Sequence, residues 1–226
     1  MRPAQSVLHP AVPYVGPFLV FAVLLAVMPQ FALPPRPALL LWLILPTAAT
    51  VLLSRGVLQF RPARPLWSIA LGVAVFAVWV GPDLLWPAWR SSVLFRNFLV
   101  GQAQPSLPAE VFADPWSIAL RTARAVLLVP VIEELFWRGW LMRWVADPDF
   151  RKLPLGHYEP RSFWIAAVLF ALEHGSFWDV GLAAGVIYNW WMIRTKCLGD
   201  LILAHAVTNA CLCWFIAAGG HWQYWP

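Results

Sequence analysis

Long apolar runs, separated by short loops rich in proline, glycine and arginine, are the feature that most constrains the fold of this chain. Hydrophobic residues make up 61% of the 226 positions and charged residues only 12%, whereas soluble domains carry about 25% charged residues. Apolar helices of roughly 20 residues are what a bilayer requires, and no stretch has the alternation of a β-strand with turn signals. The sequence therefore predicts an all-α, polytopic helical bundle in a membrane.

Seven of these runs are expected to cross the membrane, and the first is expected to stay in place as a signal-anchor. The stretch 83–101 is interrupted by proline and arginine, so it predicts an interfacial segment rather than an eighth span. We expect one membrane-embedded domain over residues 1–226. The seven runs are Ala11–Met28, Ala38–Leu53, Leu66–Val80, Trp116–Val145, Ser162–His174, Val180–Arg194 and Asp200–Ala217.

The distribution of basic residues predicts the orientation. With seven spans, ten lysines and arginines fall on the side of the N-terminus and five on the other, leaving Arg138 out. Because cytoplasmic loops collect lysine and arginine, we expect the N-terminus inside and the C-terminus outside, in a bacterial inner membrane. This bias also accounts for the net charge of +5, and no basic block with interleaved aromatics indicates nucleic acid. The three cysteines form no C-x-x-C pair, so neither a disulfide framework nor a zinc ribbon is predicted.

Three ionisable residues interrupt the apolar stretch Val129–Trp140, which reads V-P-V-I-E-E-L-F-W-R-G-W. They are Glu133, Glu134 and Arg138. A charged side chain at the centre of a membrane helix costs about 2.5–3.5 kcal/mol on insertion scales. Three charges within six residues therefore predict a functional site. Glu134 and Arg138, spaced four apart, also fit a purely structural ion pair.

Three further polar residues lie in the last helices: His174, His205 and Asn209. His205 and Asn209 are four apart and so share one face of a helix. Counted along the predicted helices at about 1.5 Å per residue, Glu133 and His174 lie roughly 18 Å, and His205 and Asn209 roughly 8 and 14 Å, from the inner helix ends. We expect all four to meet between the midplane and the cytoplasmic surface, in a site that opens to the cytoplasm.

These residue types suit water attack on an amide. A buried carboxylate beside a histidine positions and deprotonates a water, and a second histidine with an asparagine amide donates to the developing oxyanion. No G-x-S-x-G motif indicates a serine nucleophile. Two other functions stay open: a proton-coupled transporter, which also needs intramembrane carboxylates and histidines, and a scaffold without catalysis. Singly, His174 could be a helix-contact residue, and His205 and Asn209 interhelical hydrogen-bonding residues.

Three motifs in this order resemble a known family. E-E-L-F-W-R matches E-E-x-x-x-R, F-A-L-E-H matches F-x-x-x-H, and H-A-V-T-N matches H-x-x-x-N, the signatures of the CPBP family of intramembrane proteases related to the Rce1-type CaaX prenyl endopeptidases. The resemblance covers a core of about residues 116–217. The chain most resembles a bacterial CaaX-protease-related branch associated with exosortase systems.

The resemblance implies a glutamate-type endopeptidase acting on a protein or peptide segment in or near the bilayer. Glu133 and His174 would activate the water, and His205 and Asn209 would form the oxyanion hole. Glu134 and Arg138 would support the site as an ion pair. Spacing does not rank Glu133 above Glu134, and the choice of Glu133 comes from the family. We expect neither a cofactor nor a metal, since no H-E-x-x-H pairing is present.

Overall fold

The computed structural model describes residues 9–31, 33–98, 100–103 and 109–225. Within these residues the regular structure is helical, apart from one isolated antiparallel bridge between Asn97 and Gly101, which confirms the predicted all-α class. The α-helices are α1 Val12–Val27, α2 Pro35–Ser54, α3 Pro65–Leu85, α4 Ala109–Phe112, α5 Pro115–Ala123, α6 Val129–Glu134, α7 Met142–Ala146, α8 Pro160–Glu173, α9 Trp178–Thr195 and α10 Leu198–Gly219.

The protein is an integral membrane protein. Four helical stretches among the described residues are long and apolar enough to cross a membrane: Val12–Gln30, Pro35–Ser54, Pro65–Leu85 and Leu198–Gly219. Helices α5, α6 and α7 are joined end to end by two π-helical turns, Arg124–Leu128 and Leu135–Leu141, and together form the motif helix. With α8 and α9 it completes a set of seven long helices, although the number that span the bilayer stays a prediction. After Leu85 the described residues of the predicted interfacial stretch contain no α-helix, and their regular structure is a short 3₁₀ turn, Trp89–Ser91, and the bridge from Asn97 to Gly101.

Proline and acidic caps set the starts of two site-bearing helices. Asp114 precedes Pro115 and accepts hydrogen bonds from the backbone of Trp116 and Ser117. A side-chain bond from Arg36 lowers the pKa of Asp114 well below its usual range. Glu159 precedes Pro160 and accepts from two backbone amides of α8, which lowers the pKa of its carboxyl. A carboxylate here complements the positive end of the helix dipole and occupies N–H groups that have no helical partner.

Small residues let the helices approach closely, as is common in membrane bundles. Helix α10 packs along α3, where a Cβ on Gly72 would lie 2.8 Å from Cβ of Val207. The hydroxyl of Thr208 donates to the Gly72 carbonyl over 2.9 Å at this contact. Helix α9 meets α8 through Gly181 and Gly185, whose added Cβ atoms would lie 3.1–3.4 Å from the α8 backbone. These contacts fix the two histidine-bearing helices against their neighbours.

One end of the bundle, the basic end, is held together by the buried Asp200. Its carboxylate accepts hydrogen bonds from the amides of Ala63 and Arg64 at 3.1 and 2.7 Å, and from the hydroxyl of Ser68 at 3.0 Å. The start of α10 is thereby fixed to the α2–α3 loop. Ser54, at the end of α2, donates to the carbonyl of Pro13, so the start of α1 lies at the same end.

The opposite end, the cavity end, is held by Arg90. Its guanidinium lies 2.9 Å from both Asp83 and Asp179 and donates to the carbonyl of Ser176 over 2.7 Å. The hydroxyl of Tyr224 donates to Asp83 at 2.7 Å. These bonds join the end of α3, the α8–α9 turn and the C-terminal residues, and they hold the segment after α3 over this end of the bundle.

Candidate active site

The geometry of the motif helix departs from a regular α-helix on both sides of its two glutamates. The π-helical turns Arg124–Leu128 and Leu135–Leu141 flank α6, which carries Glu133 and Glu134 at its end. Such turns are rare in proteins overall, and many of those that occur lie at functional sites. The sequence predicted one continuous helix here, because an almost uniformly apolar stretch has no periodicity from which the extra residue of each turn could be read.

Pro130 explains how Asn209 is held. The amide of Val129 donates to the carbonyl of Arg124, five residues back, and the next bond in that register would join residue 130 to the carbonyl of Ala125. Proline has no N–H to donate. The side-chain amide of Asn209 donates to the Ala125 carbonyl instead, over 2.7 Å. The Ala125 carbonyl, which lacks a backbone donor in the motif helix, thus binds Asn209, a motif residue on α10.

Glu134 and Arg138 form the ion pair that their spacing predicted. Both side chains are fully buried, and Nη1 of Arg138 lies 3.1 Å from each carboxylate oxygen of Glu134. Arg138 also donates from Nε to Oδ1 of Asn189 at 2.8 Å, and from Nη2 to the carbonyl of Gly185. Nδ1 of His205 lies 2.8 Å from Oε1 of Glu134. The pair therefore connects the motif helix to both α9 and α10.

Glu133 has a different environment from its neighbour. Glu133 is 6% exposed, it lines a cavity between the helices, and its Oε2 has no hydrogen-bond partner among the described residues. Consecutive residues of a helix point about 100° apart. The helix therefore turns one glutamate into the ion-pair network and the other toward the cavity.

All four predicted catalytic residues line one cavity of about 380 Å³. Glu133, His174, His205 and Asn209 share it with apolar and aromatic side chains and with backbone from the cavity end of the bundle. The other lining residues are Trp79, Val100, Gly101, Gln102, Ala125, Val129, Phe170, Glu173, Gly175, Ser176, Phe177, Ala184, Tyr188, Thr208, Leu212, Cys213, Tyr224 and Trp225. Four motif residues far apart in sequence thus meet around a space large enough for a peptide segment to enter.

The position of this cavity bears on the expected cytoplasmic opening. Its exposed lining residues include Gly101 and Gln102, which lie at the end opposite the α2–α3 loop. The cavity and the start of α1 are therefore at opposite ends of the bundle. Counting along helices gives the depth of each residue but not the direction in which the space between the helices opens.

His174 has a defined hydrogen-bonding state. Its Nδ1 lies 2.7 Å from the carbonyl oxygen of Phe170, and since a carbonyl only accepts, Nδ1 carries the proton. The neutral ring then presents Nε2 as an acceptor. The edge of Trp79 packs against the ring at 5.0 Å between centroids, which restricts its orientation.

His205 and Asn209 have fewer free groups than their residue types suggest. With the Glu134 carboxylate ionised beside Arg138, Nδ1 of His205 donates to it, so Nε2 donates only when the ring is doubly protonated. The ring stacks on Tyr188 at 5.2 Å between centroids. Asn209 uses one amide hydrogen on Ala125 and keeps a second hydrogen and its carbonyl oxygen.

Sequence reasoning missed the residues that support this arrangement. Asn189 binds Arg138 and also donates to the carbonyl of Phe163 at 2.9 Å, and Tyr188 donates to Thr208 at 2.7 Å. The sequence shows only that Tyr188 and Asn189 are polar residues in an apolar helix, and this does not identify their partners. Glu173, which precedes His174 in sequence, lines the cavity and accepts from the indole of Trp137 at 3.2 Å.

Within the described part of the chain, no three histidine, cysteine, aspartate or glutamate side chains are grouped as ligands of a metal ion. The expectation of a metal-free mechanism stays a prediction that a chelator tests.

The comparisons with known proteins add the decisive observation: residues 115–211 match the model of a family described as type II CAAX prenyl endopeptidase Rce1-like. This part of the chain belongs to the Rce1-like family. The match contains all three motifs, and at the level of the family it supports a CAAX-type intramembrane protease. It does not distinguish branches of the family. No curated protein and no solved structure matches the chain.

Proposed function

We propose that this Rce1-like protein is an intramembrane glutamic endopeptidase that hydrolyses a peptide bond in a membrane-proximal or C-terminal segment of a protein. Glu133 is the base that deprotonates the attacking water, and His174 positions that water through Nε2. His205 and Asn209 donate to the oxyanion as the carbonyl becomes tetrahedral. Glu134 and Arg138 act through His205, whose ring the Glu134 carboxylate holds in place through Nδ1.

One observation carries the proposal: a carboxylate oxygen of Glu133 that no described residue hydrogen-bonds lies in the same cavity as the other three motif side chains. A buried acceptor without a hydrogen-bond partner is costly in a folded protein. A general base needs such a free oxygen to accept the proton of a bound water. Glu134, engaged by Arg138 and His205, has no comparable freedom, so its neighbour is the better candidate for the base.

The test is proteolysis by the protein reconstituted in lipid vesicles, offered a lipidated C-terminal peptide and a panel of membrane proteins encoded beside its gene. The Glu133→Gln variant should lose at least about 10²-fold in kcat, as expected when a general base is removed. Asp149→Asn, a change of the same kind in a loop at the basic end, is the matched control and should leave kcat unchanged.

A chelator is added in parallel. Cleavage that is indifferent to the chelator supports the metal-free mechanism, and cleavage lost with chelator and restored by zinc contradicts it. Full activity of the Glu133→Gln variant would contradict the assignment of Glu133 as the base. Proton-driven solute flux abolished by Glu133→Gln, in a wild type that cleaves none of the substrates, would favour the transporter.

A further inference from the structure

The two ends of the bundle differ sharply in charge. Eight exposed lysines and arginines lie in the three loops of the basic end, 55–64, 147–159 and 195–197, or at the helix ends beside them: Arg55, Arg61, Arg64, Arg151, Lys152, Arg161, Arg194 and Lys196. These loops touch one another. Cys197 donates to the carbonyl of Arg61, and a shallow cleft is lined by side chains of all three basic loops, with Arg64, His157 and Arg194 among them.

The loops of the cavity end hold three cations among the described residues. Arg36 is paired with Asp114 at 2.7 Å, Arg90 is paired with Asp83 and Asp179, and Arg96 is exposed. Arg121 and Arg124, which sequence counting placed on this side, are buried within the motif helix and do not belong to a loop. On the basic side, Arg143 is also buried and Arg2 lies outside the described residues, so the count changes from ten against five to eight against three.

The reaction cavity belongs to the end with few cations. Its lining includes the segment Val100–Gln102, the turn that joins α8 to α9, and Tyr224 with Trp225 at the end of the chain. No described residue from the loops 55–64, 147–159 or 195–197 lines it. The exposed Gly101 and Gln102 mark where the cavity meets the surroundings.

Lysines and arginines in short loops accumulate on the cytoplasmic side of membrane proteins. Applied to the eight exposed cations, this rule puts the basic end in the cytoplasm. We infer that the cavity opens to the non-cytoplasmic side of the membrane, and that the segment it cleaves is the membrane-proximal part of a protein on that side. The second statement rests on the proposed function, whereas the first stands on charge and geometry alone.

Thiol labelling in intact cells tests the orientation. In a background with Cys197→Ser, Cys211→Ala and Cys213→Ala, one variant carries Gln102→Cys at the mouth of the cavity. The matched variant carries Lys152→Cys at the basic end, and both positions are exposed. A membrane-impermeant maleimide is added to bacterial cells with a permeabilised outer envelope, before and after lysis of the inner membrane.

We expect the Gln102→Cys variant to be labelled in intact cells and the Lys152→Cys variant only after lysis. The reverse pattern would overturn the inference. A second pair, Ser92→Cys and Gln59→Cys, repeats the comparison at other exposed positions of the same two ends, so that a variant that fails to fold does not decide the outcome.

Access is tested separately from chemistry. Sealed vesicles in which the Gln102 side faces outward should cleave an impermeant peptide added outside, whereas vesicles of the opposite orientation should not. Cleavage only in the opposite orientation would overturn the inferred opening. A wild type that cleaves nothing even in detergent would refute the proposed function, and the labelling pattern would still decide the side on which the cavity opens.

Discussion

Two adjacent glutamates in this protein have opposite surroundings. Glu134 is fully buried and bound by Arg138 and His205, while Glu133 lines the cavity with an oxygen that has no hydrogen-bond partner in the described part of the chain. The spacing of Glu134 and Arg138 predicted their ion pair. The spacing could not show which glutamate is the base, because Glu133 and Glu134 are adjacent in the same turn of the helix. What separates them is the set of partners on α9 and α10, and that set depends on tertiary packing.

This difference predicts opposite effects of two identical changes. Glu134→Gln leaves the buried guanidinium of Arg138 without its counter-charge and should lower the free energy of unfolding by about 3–5 kcal/mol. Glu133→Gln changes a carboxylate whose Oε2 has no hydrogen-bond partner among the described residues and should change the free energy of unfolding by less than about 1 kcal/mol. The measurement is reversible unfolding in mixed micelles.

The double variant Glu134→Gln with Arg138→Gln is the control, because it removes both charges together and should cost less than Glu134→Gln alone. Equal loss of stability in the two single variants would contradict the assignment of Glu134 to the structural network.

At the scale of helices, the sequence shows the caps of α5 and α8 but not the π-helical distortions of the motif helix. Asp-Pro and Glu-Pro pairs mark the starts of α5 and α8, as a carboxylate cap followed by proline at the first helical position is expected to do. The π-helical turns leave no trace in the pattern of apolar residues, yet they decide which carbonyl of the motif helix is left for Asn209.

Replacing Pro130 by alanine tests that link. The new N–H competes with Asn209 for the Ala125 carbonyl, so the amide of Asn209 should lose its fixed orientation. We expect kcat to fall about tenfold with little change in KM, because a small misplacement of a group that acts in the transition state lowers the rate more than it weakens binding. Thermal stability should hold or rise, since proline is unfavourable inside a helix. An unchanged kcat would mean that this bond does not position Asn209.

At the scale of the whole molecule, the network around Arg90 closes the cavity end. The guanidinium bridges Asp83 and Asp179 and lies 4.2 Å from the ring centroid of Phe177, which lines the cavity. The sequence predicted an interfacial segment here. It could not predict that an arginine of that segment is tied to the α8–α9 turn, because its partners lie 7 and 89 residues away.

Arg90→Gln should loosen the segment over the cavity. We expect amide hydrogen exchange over residues 86–103 to accelerate at least about tenfold, a change of roughly 1.4 kcal/mol in local opening, while exchange in α1 and α2 stays the same. Arg90→Lys should restore the slow exchange only in part, because an ammonium group cannot reproduce the planar guanidinium with its several hydrogen bonds. Uniformly faster exchange across all helices would indicate global destabilisation instead.

The four-residue spacing of Glu134 and Arg138 also bears on how the protein is made. The other side chains of their network, Asn189 and His205, come 51 and 71 residues after the residues that they contact, so they are still unsynthesised when the motif helix leaves the ribosome. A carboxylate and a guanidinium one turn apart neutralise each other within a single helix. Glu134 and Arg138 are therefore already paired when the nascent segment enters the bilayer. The later helices then pack against a site whose central ion pair is complete.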